Sequence, residues 1–237
     1  MKNFLLLSCL LLTLSFSSTS IKESRQLLVV TAKSWKSQTG ILQRYKKRSK
    51  KWYKVGKTIN VHLGRNGLGW GRGLHTIPKN AKIVKKEGDG KAPAGIFELK
   101  YAFGYDFIDV KYPYIVYDTF DHCVDDINSV LYNKIIDSQK VKKEYSYNSK
   151  EKMKLRTNYY KYGIVVNHNH INEKNAIKGA GSCIFMHIKN TTTAGCTVMK
   201  EKDLIRIIKW LDRKKQPLLV QGTKEMLQSF NKVLKIY

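Results

Sequence analysis

The stretch GSCIFMHIKNTTTAGCTVM (181–199) gathers the side chains best suited to chemistry in this 237-residue chain. Cys183 stands four positions before His187, and Cys196 nine positions after it. Such a set can hold a metal ion, belong to a disulfide frame, or pair a thiol nucleophile with an imidazole base. Structural zinc sites use closely spaced Cys or His pairs. The alternation in CIFMHI (183–188) predicts a strand, on which residues four apart share a face but lie about 13 Å from each other. Cys183 and His187 therefore do not make a metal pair. HNH (168–170) puts two histidines on one face of a predicted strand, yet no third ligand accompanies them. Hydrogen-bonded or surface histidines account better for His168 and His170, and neither a metal nor a cofactor is expected.

The nucleophile reading is sharper. A thiolate is the reactive form of cysteine, so it needs a nearby base or a field of oriented N–H groups. Cys196 follows Gly195, which lets the backbone turn tightly and offer consecutive N–H groups to an oxyanion. His187 lies on the preceding strand, and IKNTTTAG (188–195) is short enough to fold back and bring imidazole to thiol. A buried cysteine beside a strand histidine fits the same spacing, and the spacing alone leaves both readings open.

The elements that must position these residues are mostly strands. QLLVVTA (26–32) is a short β-branched run, while GILQRYKK (40–47) and KWYKVGKTINVHL (51–63) alternate apolar with basic residues. GRNGLGWGRG (64–73) reads as a turn or flexible loop. No GK[ST] follows it, so it is not a phosphate cradle. A strand of period two runs from Ile96 to Leu99. Residues 119–161 are polar and insertion-like, and they carry Asp125 and Asp126, read as a turn pair facing solvent. YGIVVNHNH (162–170) returns to strand. KEKDLIRIIKWLDRKK (200–215) has Leu204, Ile205, Ile208 and Leu211 at helical spacing, with Asp203 early and basic residues late, as the helix dipole favours. QPLLVQG (216–222) reads as a closing strand. The segment 224–237 predicts a C-terminal helix with Met226, Leu227, Phe230, Val233 and Leu234 on its packed face. The sum is a mainly β chain forming one domain.

The N-terminus reads as an address. Lys2, the apolar run FLLLSCLLLTLSF (4–16), and Ser18 and Ser20 at the −3 and −1 positions of a cleavage site predict a secretory signal peptide over 1–20. An uncleaved anchor, or a lipoprotein signal on Cys9, is the weaker alternative. Beyond Cys9 the chain has Cys123, Cys183 and Cys196, an odd number that excludes a fully paired disulfide frame. A Cys123–Cys183 disulfide would leave Cys196 as the single free thiol; otherwise Cys183 is a buried strand residue. The formal net charge is +26, from 44 basic and 18 acidic residues. Most of the basic residues are lysine, which argues against nucleic acid, whose readout leans on arginine forks. The charge, densest in RYKKRSKKWYK (44–54), fits either a solvated surface or attraction to an anionic envelope polymer or membrane surface.

GSCIFMH followed by TAGCTVM resembles the motif of the L,D-transpeptidase catalytic domain (YkuD-like) family, in which a histidine strand leads into an [ST]-x-G-C loop. EGDGKAPAGIFEL with AFGY (87–105) is similar to the family's upstream element. VDDINSVLYNKIID (124–137) and YKYGIVVNHN (161–169) resemble segments between the two motifs in one branch of it. The likeness covers about residues 82–221 in order. It implies a sandwich-like or curled β-sheet with the Cys–His site in a groove, between the strands of 26–63 and the C-terminal helix. It further implies an exported, periplasmic or envelope enzyme of peptidoglycan, without cofactor. Cys196 would attack the L,D-peptide bond of a stem tetrapeptide and expel D-alanine. His187 would be base and then acid, and N–H groups of Gly195 and Cys196 would hold the oxyanion. Ser182, Thr193, Arg156 and His168 are the expected substrate contacts, Arg156 facing a stem carboxylate. Ile188 stands where many members have glycine, Val198 where many have arginine, and HNH where tyrosine-asparagine is expected. Transfer to an amine and hydrolysis by water both remain open.

Overall fold

The computed structural model describes residues 21–236; the expected signal peptide over 1–20 lies outside them. Strand β1 (Gln26–Ala32) pairs antiparallel with β2 (Thr39–Arg48), which pairs antiparallel with β3 (Lys51–His62). The longest strand, β5 (Ala92–Gly104), has different neighbours along its length. Its residues 95–98 pair with β13 (Leu218–Thr223), and residues further on, from Leu99 to Gly104, pair with β10 (Tyr162–Val166). β10 continues to β11 (Phe185–Ile188), β11 runs parallel to β12 (Thr197–Met199), and β12 meets β3. β1 runs parallel to β13, so eight strands close into a barrel-like ring. Two short strands, β4 (Leu68–Trp70) and β6 (Tyr114–Val116), attach to β5.

The chain is mainly β, as its alternation predicts, but the sheet is a closed ring rather than clearly a sandwich. The two-way pairing of β5, across a register shift between Ile164 and Val166, removes the edges that an open curled sheet would keep. Period-two alternation then turns one face of each strand toward the interior. Leu28, Val30, Leu42, Val61, Phe97, Ile164, Met186, Met199 and Leu219 share one apolar cluster to which all eight ring strands contribute, which makes it the interior of the ring. Their neighbours on the same strands, Phe103, Val165, Phe185 and Val198, join a second cluster with Cys196 on the outer face.

The helix α1 (Glu201–Trp210) adds Leu204, Ile207 and Ile208 to the interior cluster. The C-terminal helix α2 (Lys224–Leu234) is capped by the Thr223 hydroxyl, which accepts from Met226 N–H, and it packs Leu227 and Leu234 against Leu27, Val29 and Val220. Val233, expected on that face, is exposed. β13 is an internal ring strand, not an edge. The polar region 119–161 is not featureless: β7 (Asp121–Val124), β8 (Ile135–Asp137) and β9 (Lys150–Lys152) make a separate three-stranded sheet. It is tied to the segment before β11 by a Cys123–Cys183 disulfide. Among the described residues no helix is long and apolar enough to cross a membrane.

Candidate active site

Phe185 and His187 are two apart on β11, so both point to its outer face, while Met186 turns inward. β12 runs parallel beside it, with Met186 opposite Thr197 and His187 opposite Val198. This register delivers Cys196, the residue before β12, to the level of Phe185, whose N–H donates to Cys196 Sγ at 3.3 Å. The loop between the strands is held by Thr193. Its hydroxyl donates to the Cys196 carbonyl at 2.7 Å and accepts from Gly195 N–H at 3.1 Å, and its own N–H donates to the Leu63 carbonyl. Gly195 sits close to its neighbours: a Cβ there would lie 3.1 Å from the Lys91 carbonyl oxygen and 3.2 Å from Ile184 Cδ1, so a side chain would need them to shift.

Cys196 and His187 line one cavity of about 260 Å³ with Ser182, Thr193, Gly195, Lys85, Glu87, Asp125, Glu151, Tyr160 and Lys189. Cys196 is 7% exposed and His187 5%. Among the described residues Cys196 is the one free cysteine. Its thiol donates toward the Cys183 carbonyl at 3.6 Å. Burial, followed by the nearby Glu151 carboxylate, pushes that thiol far above its ordinary range. Burial also lowers His187 to about 4, opposed by the carbonyls of Ile188 and Tyr159. The resting pair is therefore neutral thiol and neutral imidazole. In the tautomer with hydrogen on Nδ1, that nitrogen donates to the Ile188 carbonyl at 3.2 Å, and Nε2 keeps its lone pair. The Tyr160 ring stands edge-on to His187 with centroids 4.8 Å apart.

The expected substrate contacts separate here. Ser182 lines the cavity, its hydroxyl donating to Glu87 at 2.6 Å. Thr193 lines it too, but its hydroxyl is spent on the loop. Because Gly195 N–H is committed to Thr193, the Cys196 N–H is the one of the two expected amides left for an oxyanion. Arg156 is exposed and outside the cavity lining; Lys189, with Nζ over the Tyr159 ring, and Lys85 are the cations on the wall. His168 does not face substrate. β10 ends at Val166, so HNH lies in a turn, with Asn169 and His170 in the left-handed region. His168 is 1% exposed, accepts from Arg72 N–H on Nδ1, and donates from Nε2 to the Ala180 carbonyl. Burial holds its pKa down at about 3. Cys183 precedes β11 with φ of 54°, rather than lying on the strand. Among the described residues no group of three or more His, Cys, Asp or Glu side chains is placed to hold a metal ion.

Sequence reasoning missed the wall that the polar region supplies. Asp126 is a structural carboxylate accepting from Asn128 and Asn148 N–H, whereas Asp125 lines the cavity. Glu151 accepts from the buried Tyr160 hydroxyl. Glu87 accepts from Tyr132 as well as Ser182. Asn133 binds the His168 and Asn169 carbonyls and accepts from Cys183 N–H. For Asp125, Glu151 and Asn133 the one signal was the density of Asp, Asn and Tyr in a segment that alternation did not explain, whereas Glu87 opens the 87–105 element that the resemblance covers.

No family model and no curated protein matches the chain. Among solved structures it is similar to that titled "Structure of Bdellovibrio bacteriovorus Bd1075", with 13% identity and a TM-score of 0.40. The match covers 90% of this chain and spans 56% of that one, and a likeness of that degree decides neither fold nor activity.

Proposed function

We propose that this chain is an exported peptidoglycan L,D-transpeptidase that uses Cys196 as nucleophile and His187 as its base. The observation that carries the reading is the cavity shared by Cys196, the one free thiol among the described residues, just before β12, and the buried imidazole of His187 on the adjacent parallel strand β11. The motifs around both residues support it. In the reaction, Sγ attacks the carbonyl of the L,D-peptide bond of a stem tetrapeptide as the thiol proton passes to His187. The Cys196 N–H stabilises the oxyanion. The C–N bond then breaks, His187 returns the proton to the amine of D-alanine, and the acyl group stays on sulfur. Lys189, rather than Arg156, is the cavity cation that would meet a stem carboxylate, since Lys85 on the same wall is held by Asp89. The neutral resting pair means that proton transfer accompanies attack instead of preceding it.

Hydrolysis of the same acyl-enzyme would make the protein an L,D-carboxypeptidase. A different class, a basic envelope-binding module without catalysis, is motivated by the charged β2–β3 hairpin. The test that separates catalysis from binding is D-alanine release from a tetrapeptide muropeptide. Cys196→Ala should abolish release, and His187→Ala should reduce it by about 100-fold or more. Undiminished release by Cys196→Ala would remove the enzyme reading.

A further inference from the structure

Glu151 is the cavity residue that acylation leaves without a task. It lies on β9 directly across from Cys123 of β7, and Cys123 is bonded to Cys183, whose carbonyl accepts from the Cys196 thiol. The disulfide thus fastens the strand that presents Glu151 to the segment beside the nucleophile. The carboxylate is aimed by Tyr160, whose hydroxyl donates to it and whose ring stands against His187. On the same wall, Asp125 keeps Oδ1 buried with no hydrogen-bond partner.

Proton counting gives this group a role. When water takes the acyl group, it loses one proton on attack, which His187 can pass to the Cys196 sulfur. An amine arrives as an ammonium and must lose two protons to become an amide. His187 can carry only one of them back to sulfur, so the other needs a second base. We propose that Glu151 is that base: its carboxylate seats the ammonium of an amine acceptor beside the Cys196 acyl group and takes its first proton. The free amine then attacks, the N–C bond forms and the C–S bond breaks. The second proton travels through His187 to the thiolate, and Glu151 later releases its own to solvent. The acceptor class is therefore a primary amine, and Asp125 Oδ1 is a further acceptor for the same ammonium.

The surroundings suit a group that gains and loses a proton near neutrality. Burial, with smaller contributions from Asp125 and Glu87, raises Glu151 to about 7 against the Tyr160 hydrogen bond. The other charged groups around it are Lys85, held by Asp89, and Lys189 on the cavity wall, and Lys150 and Lys152 beside it on β9.

The assignment rests on Cys196 being acylated, and its test reads the two separately. Wild type, Glu151→Gln and Glu151→Asp are given a stem tetrapeptide and glycinamide from pH 5.5 to 8.5. Acylated Cys196 is followed by mass spectrometry, together with the acid and amide products. The expected result is an amide-to-acid ratio at least about tenfold lower in Glu151→Gln. Cys196 is still acylated in that variant, the wild-type rise of the ratio through pH 7 is gone, and Glu151→Asp restores part of it. An unchanged ratio overturns the assignment. So does an equal loss of both products that Glu151→Asp does not relieve, since that marks a structural role, and so does a wild type that yields acid alone. A wild type in which Cys196 is never acylated overturns the parent reading instead.

Discussion

The chemistry of Cys196 is governed by where its proton sits. A thiol raised by burial and turned toward the Cys183 carbonyl should react slowly with iodoacetamide at neutral pH. Its rate should keep climbing to pH 10 with no plateau between 6 and 8. A plateau near neutrality would mean a preformed ion pair with His187. The buried titratable groups also set opposite pH limits on stability. His187 and His168 take up protons near 6.5 when unfolded but only near 4 and 3 when folded. Between those values the unfolded chain binds more protons, so stability falls as pH falls below 6.5. Glu151 has the reverse sign: about 7 folded against 4.5 unfolded, so its contribution is lost as pH rises from 4.5 through 7. At about 1.4 kcal/mol per pKa unit, Glu151→Gln should be more stable than wild type at pH 8 by about 1–3 kcal/mol. The difference should vanish near pH 4.5, and urea titrations at the two pH values check it.

At the scale of elements, the site is where one strand pair and one stapled insert meet. Gly163 of β10 lies opposite His187, and a Cβ there would come within 2.1 Å of the Phe103 ring. Phe103 packs edge-on against Tyr160 and Phe185, the aromatic support behind His187. Gly163→Ala should therefore cost about 1–3 kcal/mol of stability and reduce turnover far more than binding, as thermal melts and kcat against KM would reveal. The Cys123–Cys183 bond closes a loop of 60 residues, for which chain entropy predicts about 4 kcal/mol of stabilisation. Alternation made most of these strands legible, including the facing of Phe185 and His187, because side-chain period is a local property. The closure of the ring was not legible, since it depends on β5 pairing with β13 and then β10, a choice made by distant partners. The spacing gave His168 as a hydrogen-bonded histidine, but its partners, backbone at residues 72 and 180, were not legible because they lie far from it in sequence, and the substrate contact implied by the resemblance is not seen.

For the molecule as a whole, the net charge is +26, and its densest run along the chain, residues 44–54, falls on the β2–β3 hairpin. Lys46 lies opposite Tyr53, and Arg48 opposite Lys51, so one face of the hairpin carries three cations around an exposed tyrosine. Replacing Lys46, Arg48 and Lys51 by glutamate should weaken low-salt binding to anionic vesicles or wall material by about tenfold or more, without changing turnover of a soluble muropeptide. Because surface fields are screened within about 8 Å at physiological ionic strength, the same binding should fall as salt rises. Composition and alternation made that charge and its strands plain, but the cross-strand register that puts Lys46, Arg48 and Lys51 on one face required the fold. The proposed function turns on one covalent event. After incubation with a stem tetrapeptide, the peptide containing Cys196 should gain the mass of the tripeptide acyl group as D-alanine appears. D-alanine released without an acyl group ever forming on Cys196, or released equally by Cys196→Ala, would contradict it.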